Sequence, residues 1–179
     1  MRVFRLPNYS SEKVFIALYT NVKNIQYIKD QLLSQNLDLK YAFIDASTII
    51  SFYQILAAVH NSIRNYKENE LRTKNINSEI IYSLSPTLSV ADAFDKFAIT
   101  YETEDLIVVN VNGKKEQIEK ELEEIINGVE LEPNDFNIEE IRDMMKIRKN
   151  YKLNENERCN NLEEMTKIIL SSMAMKSII

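Results

Sequence analysis

The segment VFIALYTNVKNIQYIKDQLL, residues Val14 to Leu33, changes its hydrophobic period part-way along, and that change sets the fold class. Val14 to Tyr19 is a short β-rich apolar run. From Asn21 the spacing becomes helical, because Val22, Ile25, Ile28 and Leu32 share one face, with Thr20 or Asn21 able to cap the first turn. A strand followed at once by an amphipathic helix calls for a domain in which helices pack on a sheet.

Upstream, Arg2 to Leu6 reads as a second strand, joined to the first through a turn at Pro7-Asn8-Tyr9-Ser10. Downstream, Tyr41 to Ile44 reads as a buried strand, and Asp45, Ser47 and Thr48 offer caps for a helix from about Thr48 to Tyr66. That helix carries Ile49, Phe52, Leu56, Val59 and Ile63 as its inward stripe. Two short helices follow, one opened by Asn77 or Ser78 and one by Ser89 with Asp92 in capping-box spacing, separated by Pro86. Leu106 to Val111 is an interior strand, and Ile118, Leu122, Ile125 and Ile126 form the inward face of the next helix. Helices near Ile138 to Lys149 and Leu162 to Ser177 close the chain, with polar Asn154 to Asn161 as a loop between them. The prediction is a single α+β domain over residues 1–179: a mixed sheet of about four strands packed with six to eight helices, the C-terminal helix at the surface.

Composition narrows the function. The 179 residues suffice to bury roughly two thirds of the unfolded surface. With 45% hydrophobic and 27% charged residues the chain has the balance of a globular domain. Only Gly113 and Gly128 are glycine, so no glycine-rich phosphate cradle is present. A net charge of −5 opposes nonspecific coating of nucleic acid, and any RNA contact has to be a local patch. One cysteine, Cys159, excludes an intrachain disulfide and a multi-cysteine zinc site, and fits a reducing, intracellular compartment. The expectation is a chain neither secreted nor membrane-spanning.

His60 is the only histidine, so a nucleophilic triad or histidine metal site would have to be built around it. A helix-surface residue supporting anion binding is the better reading, because Tyr53, Ala57, His60, Arg64 and Lys67 form one helical row that turns basic. A hydrolase using His60 is the weaker alternative. Arg64, Lys67, Arg72 and Lys74 gather where the long helix ends, and Asn65, Asn69, Asn75 and Asn77 lie among them. Such a cluster can hold phosphates and open base edges; equally, cations at a helix end can simply be solvated. Arg142, Lys146 and Lys149 make a second basic face. In the last helix Leu162, Met165, Ile169 and Met173 form a stripe, with Ile168, Met175, Ile178 and Ile179 off it, more apolar surface than one core face requires. Surplus apolar surface rich in methionine often marks a partner interface; equally, a terminal helix can simply bury both edges and fray into Ile178-Ile179.

LRTKNINSEIIYSLSPTLSVADAFDKFAI at Leu71 to Ile99, followed by DLIVVNV, resembles the PRPK-binding protein family, which supplies the small kinase-binding subunit of the KEOPS (EKC) tRNA-modification complex. IALYTNVKN at Ile16 to Asn24 and IRKNYKL at Ile147 to Leu153 extend the similarity over most of the chain. Ala98 departs from the glycine common there, and a left-handed turn at that point would cost alanine roughly 1 kcal/mol.

The resemblance implies an adaptor without catalytic residues, cofactor or metal, which binds and stimulates the complex's small atypical kinase. The kinase-binding residues it points to are Leu162, Met165, Ile169, Met173 and Met175. Through the kinase the chain would meet the threonylcarbamoyltransferase subunit, and it would help recruit tRNA for modification of the adenosine beside the anticodon. His60, Arg64, Lys67, Arg72, Lys74 and Asn75 are the tRNA-binding candidates, because single strands are held by phosphate charge and open base edges. A nuclear and cytoplasmic location, a link to telomere maintenance and no membrane contact are further implications. The alternative is a stand-alone RNA-binding domain that acts without the kinase.

Overall fold

Arg2–Leu6 (β1) and Tyr9–Thr20 (β2) form an antiparallel hairpin in the computed structural model, which describes residues 1–34, 40–153 and 161–176. Ala42–Asp45 (β3), Leu106–Val111 (β4) and Val129–Leu131 (β5) complete a five-stranded sheet of order β1-β2-β4-β3, with β5 continuing past β1 on the same strand, β2. All of these pairings are antiparallel, so the mixed sheet of about four strands becomes an antiparallel sheet of five. β5 escapes sequence reading because it is three residues long and mostly exposed.

Around the sheet lie α1 (Ile25–Leu33), α2 (Phe52–Lys67), α3 (Ile76–Leu84), α4 (Val90–Phe97), α5 (Lys115–Ile125), α6 (Asp135–Ile141), α7 (Met144–Tyr151) and α8 (Leu162–Met175). Val14, Ile16 and Leu18 of β2 join Ile44, Ile107 and Val109 under Ile55 and Val59 of α2, Ile80 of α3 and Ile169 of α8. Phe15, Ala17 and Tyr19 point the other way, joining Phe43, Leu106 and Val108 under Ile28 of α1 and Ile118 and Leu122 of α5. Helices cover both faces, which is why Val14 to Tyr19 and Leu106 to Val109 are apolar without alternation.

Several boundaries differ from the sequence expectation for tertiary reasons. The spacing predicts a helix from Asn21, but α1 begins at Ile25. Asn21 adopts a left-handed backbone (φ 54°), its N–H donates to Asp105 Oδ1 at 3.0 Å, and the Thr20 hydroxyl donates to the same carboxylate. Neither is therefore a cap; Asn24 occupies that position and bridges the Ile125 carbonyl and the Asn127 N–H. Asp45 caps a short 3-10 turn, Ala46–Thr48, and α2 starts only at Phe52, whose N–H donates to Asp135 Oδ1 at 2.6 Å. The inward stripe of α2 then includes Ile55, while Leu56 is half-buried.

The single helix expected near Ile138 to Lys149 is two. Arg142 is extended and donates its guanidinium to the Ile50 carbonyl (3.2 Å), and the Asp143 N–H donates to the Ser47 carbonyl (2.8 Å). The Asp143 carboxylate then restarts the helix by accepting from the N–H groups of Met145 and Lys146. Ala98 is extended (φ −73°, ψ 158°) and bridges Ile44, so the turn that would disfavour alanine does not arise. Tyr151, from the IRKNYKL segment, is buried; its hydroxyl accepts from Gln54 Nε2 at 2.9 Å and donates to the Leu84 carbonyl, tying α7 to α2 and α3.

Candidate functional site

α2 ends at Lys67, and the chain turns through Asn69, which takes a left-handed backbone (φ 57°), towards Asn75 at the head of α3. What holds this turn is Glu79, fully buried in the first turns of α3 (0% exposed). Its Oε1 accepts from Asn65 Nδ2 at 2.9 Å. Its Oε2 accepts from the backbone N–H groups of Arg72 and Thr73, each at 3.0 Å, and from the Thr73 hydroxyl at 2.9 Å. These donors are all neutral. A buried carboxylate is tolerated when its lone pairs are satisfied in this way, and here the pairing fixes the path of the main chain while leaving the Arg72 guanidinium to face outward.

The turn forms one wall of a cleft of about 400 Å³. Arg64 and Asn65 line it from α2, Arg72 from the loop, Tyr82 from α3, and Met173 and Lys176 from the end of α8. Arg72 also borders a more open hollow of about 470 Å³, where Lys74, Thr73 and Ser78 stand beside an apolar floor of Val90 and Phe94. A cationic side chain between a polar cleft and an apolar shelf can serve a phosphate on one side and a stacked base on the other.

Lys176 is the strongest perturbation in the cleft. Its ammonium sits 3.1 Å from the Tyr82 ring centroid and donates to the carbonyls of Tyr82 and Ser85, the latter at 3.2 Å. Burial pushes it down to about 7, against the opposing pull of Glu79 and Asp92. The same burial raises the Tyr82 phenol.

The tRNA-binding candidates divide. Arg64, Arg72 and Lys74 line the cleft and its shelf, although Arg64 also lies 3.8 Å from Glu68. His60 and Lys67 turn instead to the β1–β2 hairpin: the imidazole packs on Tyr9 with centroids 5.1 Å apart, and the Lys67 ammonium pairs with Glu12 at 2.7 Å. Asn75 uses its side-chain oxygen to cap α3, accepting from the Ser78 N–H at 2.9 Å, so it is the cap where Asn77 or Ser78 was the expectation. In the second basic face, Arg142 holds the Ile50 carbonyl and Lys146 lies 3.6 Å from Asp45. Cys159 and all of the loop expected over Asn154 to Asn161 except Asn161, which caps α8, lie outside the described residues, as do Ile178 and Ile179.

The kinase-binding candidates also divide. Met165, Ile169 and Met173 belong to the core, with Met173 only 1% exposed, so packing within this chain accounts for that stripe. Leu162 and Met175 are exposed, and Ile168 joins them on the outer side of α8. The sequence reading missed Glu79 and Lys176. An acidic residue inside the apolar run of α3 was a usable signal for the first; nothing local distinguishes the second.

These features describe a surface suited to binding: a cationic cleft in an acidic chain, closed on one side by a helix that exposes Ile168 and Met175 among charged and polar residues. Among the described residues, no group of three or more His, Cys, Asp or Glu side chains could hold a metal ion, and no helix is long and apolar enough to cross a membrane. The chain belongs to the CGI-121 kinase binding protein family, whose profile matches residues 19–177. It is 40% identical over 158 residues to the EKC/KEOPS complex subunit cgi121 of Aspergillus fumigatus, covering 86% of this chain and 84% of that protein. It is 33% identical over 174 residues to the EKC/KEOPS complex subunit cgi121 of Schizosaccharomyces pombe, covering 96% of this chain and 97% of that one.

Proposed function

We propose that this chain is a noncatalytic regulatory subunit of an EKC/KEOPS complex. It binds and stimulates the complex's small atypical kinase, meets the threonylcarbamoyltransferase subunit through it, and helps recruit tRNA for threonylcarbamoyl modification of the adenosine next to the anticodon. The observation that carries the reading is the arrangement of α8. Its outer face presents Ile168 and Met175 (38% and 62% exposed), while Met173 and Lys176 of the same turns line the cleft with Arg64 and Arg72. Family membership and the names of the relatives support the kinase and the complex. The cationic cleft supports the tRNA role, because single-stranded RNA is held by phosphate charge and open base edges. A nuclear and cytoplasmic location and a link to telomere maintenance belong to the same proposal, and fractionation of cells carrying a tagged chain tests the location.

Calorimetric titration of this chain into the purified small kinase of its organism tests the adaptor role. Micromolar or tighter binding is the expected result, weakened at least tenfold by Met175→Asp; no binding would end the adaptor reading. For the tRNA surface, Arg72→Ala should weaken tRNA binding and reduce the slope of log affinity against log salt by roughly 0.7. Lys67→Ala, whose ammonium is paired with Glu12, should change that slope little. Because the cleft is complete within one chain, tight tRNA binding that needs no kinase would favour the alternative, a stand-alone RNA-binding domain.

A further inference from the structure

The end of α8 brings Met173 and Lys176 into a cleft formed otherwise by residues more than eighty positions earlier in the chain. Lys176 has a built seat there. It lies against the face of Tyr82, and it donates to the Tyr82 and Ser85 carbonyls, at the C-terminal end of α3 where backbone oxygens lack helical partners. Around it stand Arg64 from α2, Arg72 and Glu70 from the loop, Glu79 and Tyr82 from α3, and Asp92 from α4. Glu79 is already satisfied by neutral donors, and Asp92 is paired with Lys96 at 2.8 Å. Arg64, Arg72 and Lys176 put a cation on three sides of the cleft, with Glu70 and Glu79 opposing them.

We infer that Lys176 is the third cation of the RNA site, and that RNA binding at the cleft takes up a proton on Lys176. The inference rests on the reading of the cleft as a site for an RNA strand. A phosphate placed between Arg64, Arg72 and Lys176 adds negative charge beside the ammonium and favours its charged form. Against Tyr82 burial has lowered Lys176 to about 7, so the neutral amine gains ground as pH rises past neutrality. The sign follows from linkage. Below about pH 7 the lysine is charged before RNA arrives and affinity is at its maximum; above it, binding must first restore the proton, and affinity falls until the higher value of the bound state is reached. Contact with carbonyl oxygens and an aromatic face is a seat from which a flexible lysine can swing, its stem remaining on the wall.

The test measures binding of an in vitro transcribed tRNA to the purified full chain from pH 6.5 to 8.5 at constant ionic strength, in buffers of different ionisation enthalpy. Phosphodiesters and unmodified bases do not titrate in this window. Wild type should lose roughly tenfold in affinity across it and show proton uptake on binding. Lys176→Arg, which stays charged, should abolish the pH dependence and keep the affinity seen at pH 6.5. Lys176→Met should bind weakly at every pH with no proton uptake. Kinase binding by both variants, with melting close to wild type, shows that α8 remains docked. A flat wild-type profile, or a Lys176→Met variant that keeps the wild-type slope, overturns the inference while the tRNA reading stands. No tRNA binding by wild type at any pH overturns the tRNA reading, and this inference with it.

Discussion

Glu79→Ala should destabilise the protein by about 3 kcal/mol or more and remove most of the proposed tRNA binding. The substitution deletes an acceptor for the N–H groups of Arg72 and Thr73 and for the side chains of Thr73 and Asn65. A hydrogen bond to a charged group contributes about 1.5 to 3 kcal/mol, and each buried donor left unpaired costs about 1 to 3 kcal/mol. Even with water entering the gap, the loss is a large fraction of the 5 to 15 kcal/mol typical of a domain. Urea denaturation reads it as a lower midpoint with unchanged slope. Glu79→Gln retains one acceptor oxygen and should cost less while still loosening the loop. A loss below about 1 kcal/mol for Glu79→Ala would show that the turn is held by other contacts.

Met173→Asp and Met175→Asp should differ sharply although they lie two residues apart. Met173 packs in the core under α2, at 1% exposure, and a carboxylate there loses nearly all its hydration although the cations of the cleft stand on one side of it. The expected cost is about 3 to 5 kcal/mol, with α8 leaving α2 and the cleft losing a wall. Met175 is 62% exposed, and the same charge there should change stability by less than about 0.5 kcal/mol. Thermal melting of the two variants checks this directly. Only the Met175 variant then reports on partner contact, because weakened kinase binding by the Met173 variant would reflect an undocked helix. Equal melting temperatures for the two would place both residues on the surface.

Local signals carried the sequence reading a long way. Val14 to Tyr19, Leu106 to Val111 and the α4 cap of Ser89 with Asp92 were all legible, because strand period, interior apolar runs and capping are decided within a few residues. The failures share one physical cause. Asn21 reads as a cap, but Asp105 draws its backbone into a left-handed turn; the helix near Arg142 is broken by carbonyls of Ser47 and Ile50. Each outcome depends on a partner that sequence spacing cannot place.

The candidate site divides along the same line. By itself the sequence determined the α+β class, an acidic chain whose positive charge gathers after α2, and a last helix with more apolar surface than one face can bury, since composition and periodicity are properties of short windows. Tertiary structure alone decided which of those groups reach the cleft and which are taken up elsewhere. It turned Lys67 to Glu12, kept Arg72 for the cleft by holding its backbone on Glu79, put Met173 in the core, and set Lys176 on Tyr82, 94 residues earlier. A side chain's charge is written in its own position, but its burial and its partners are set by segments that only folding brings together.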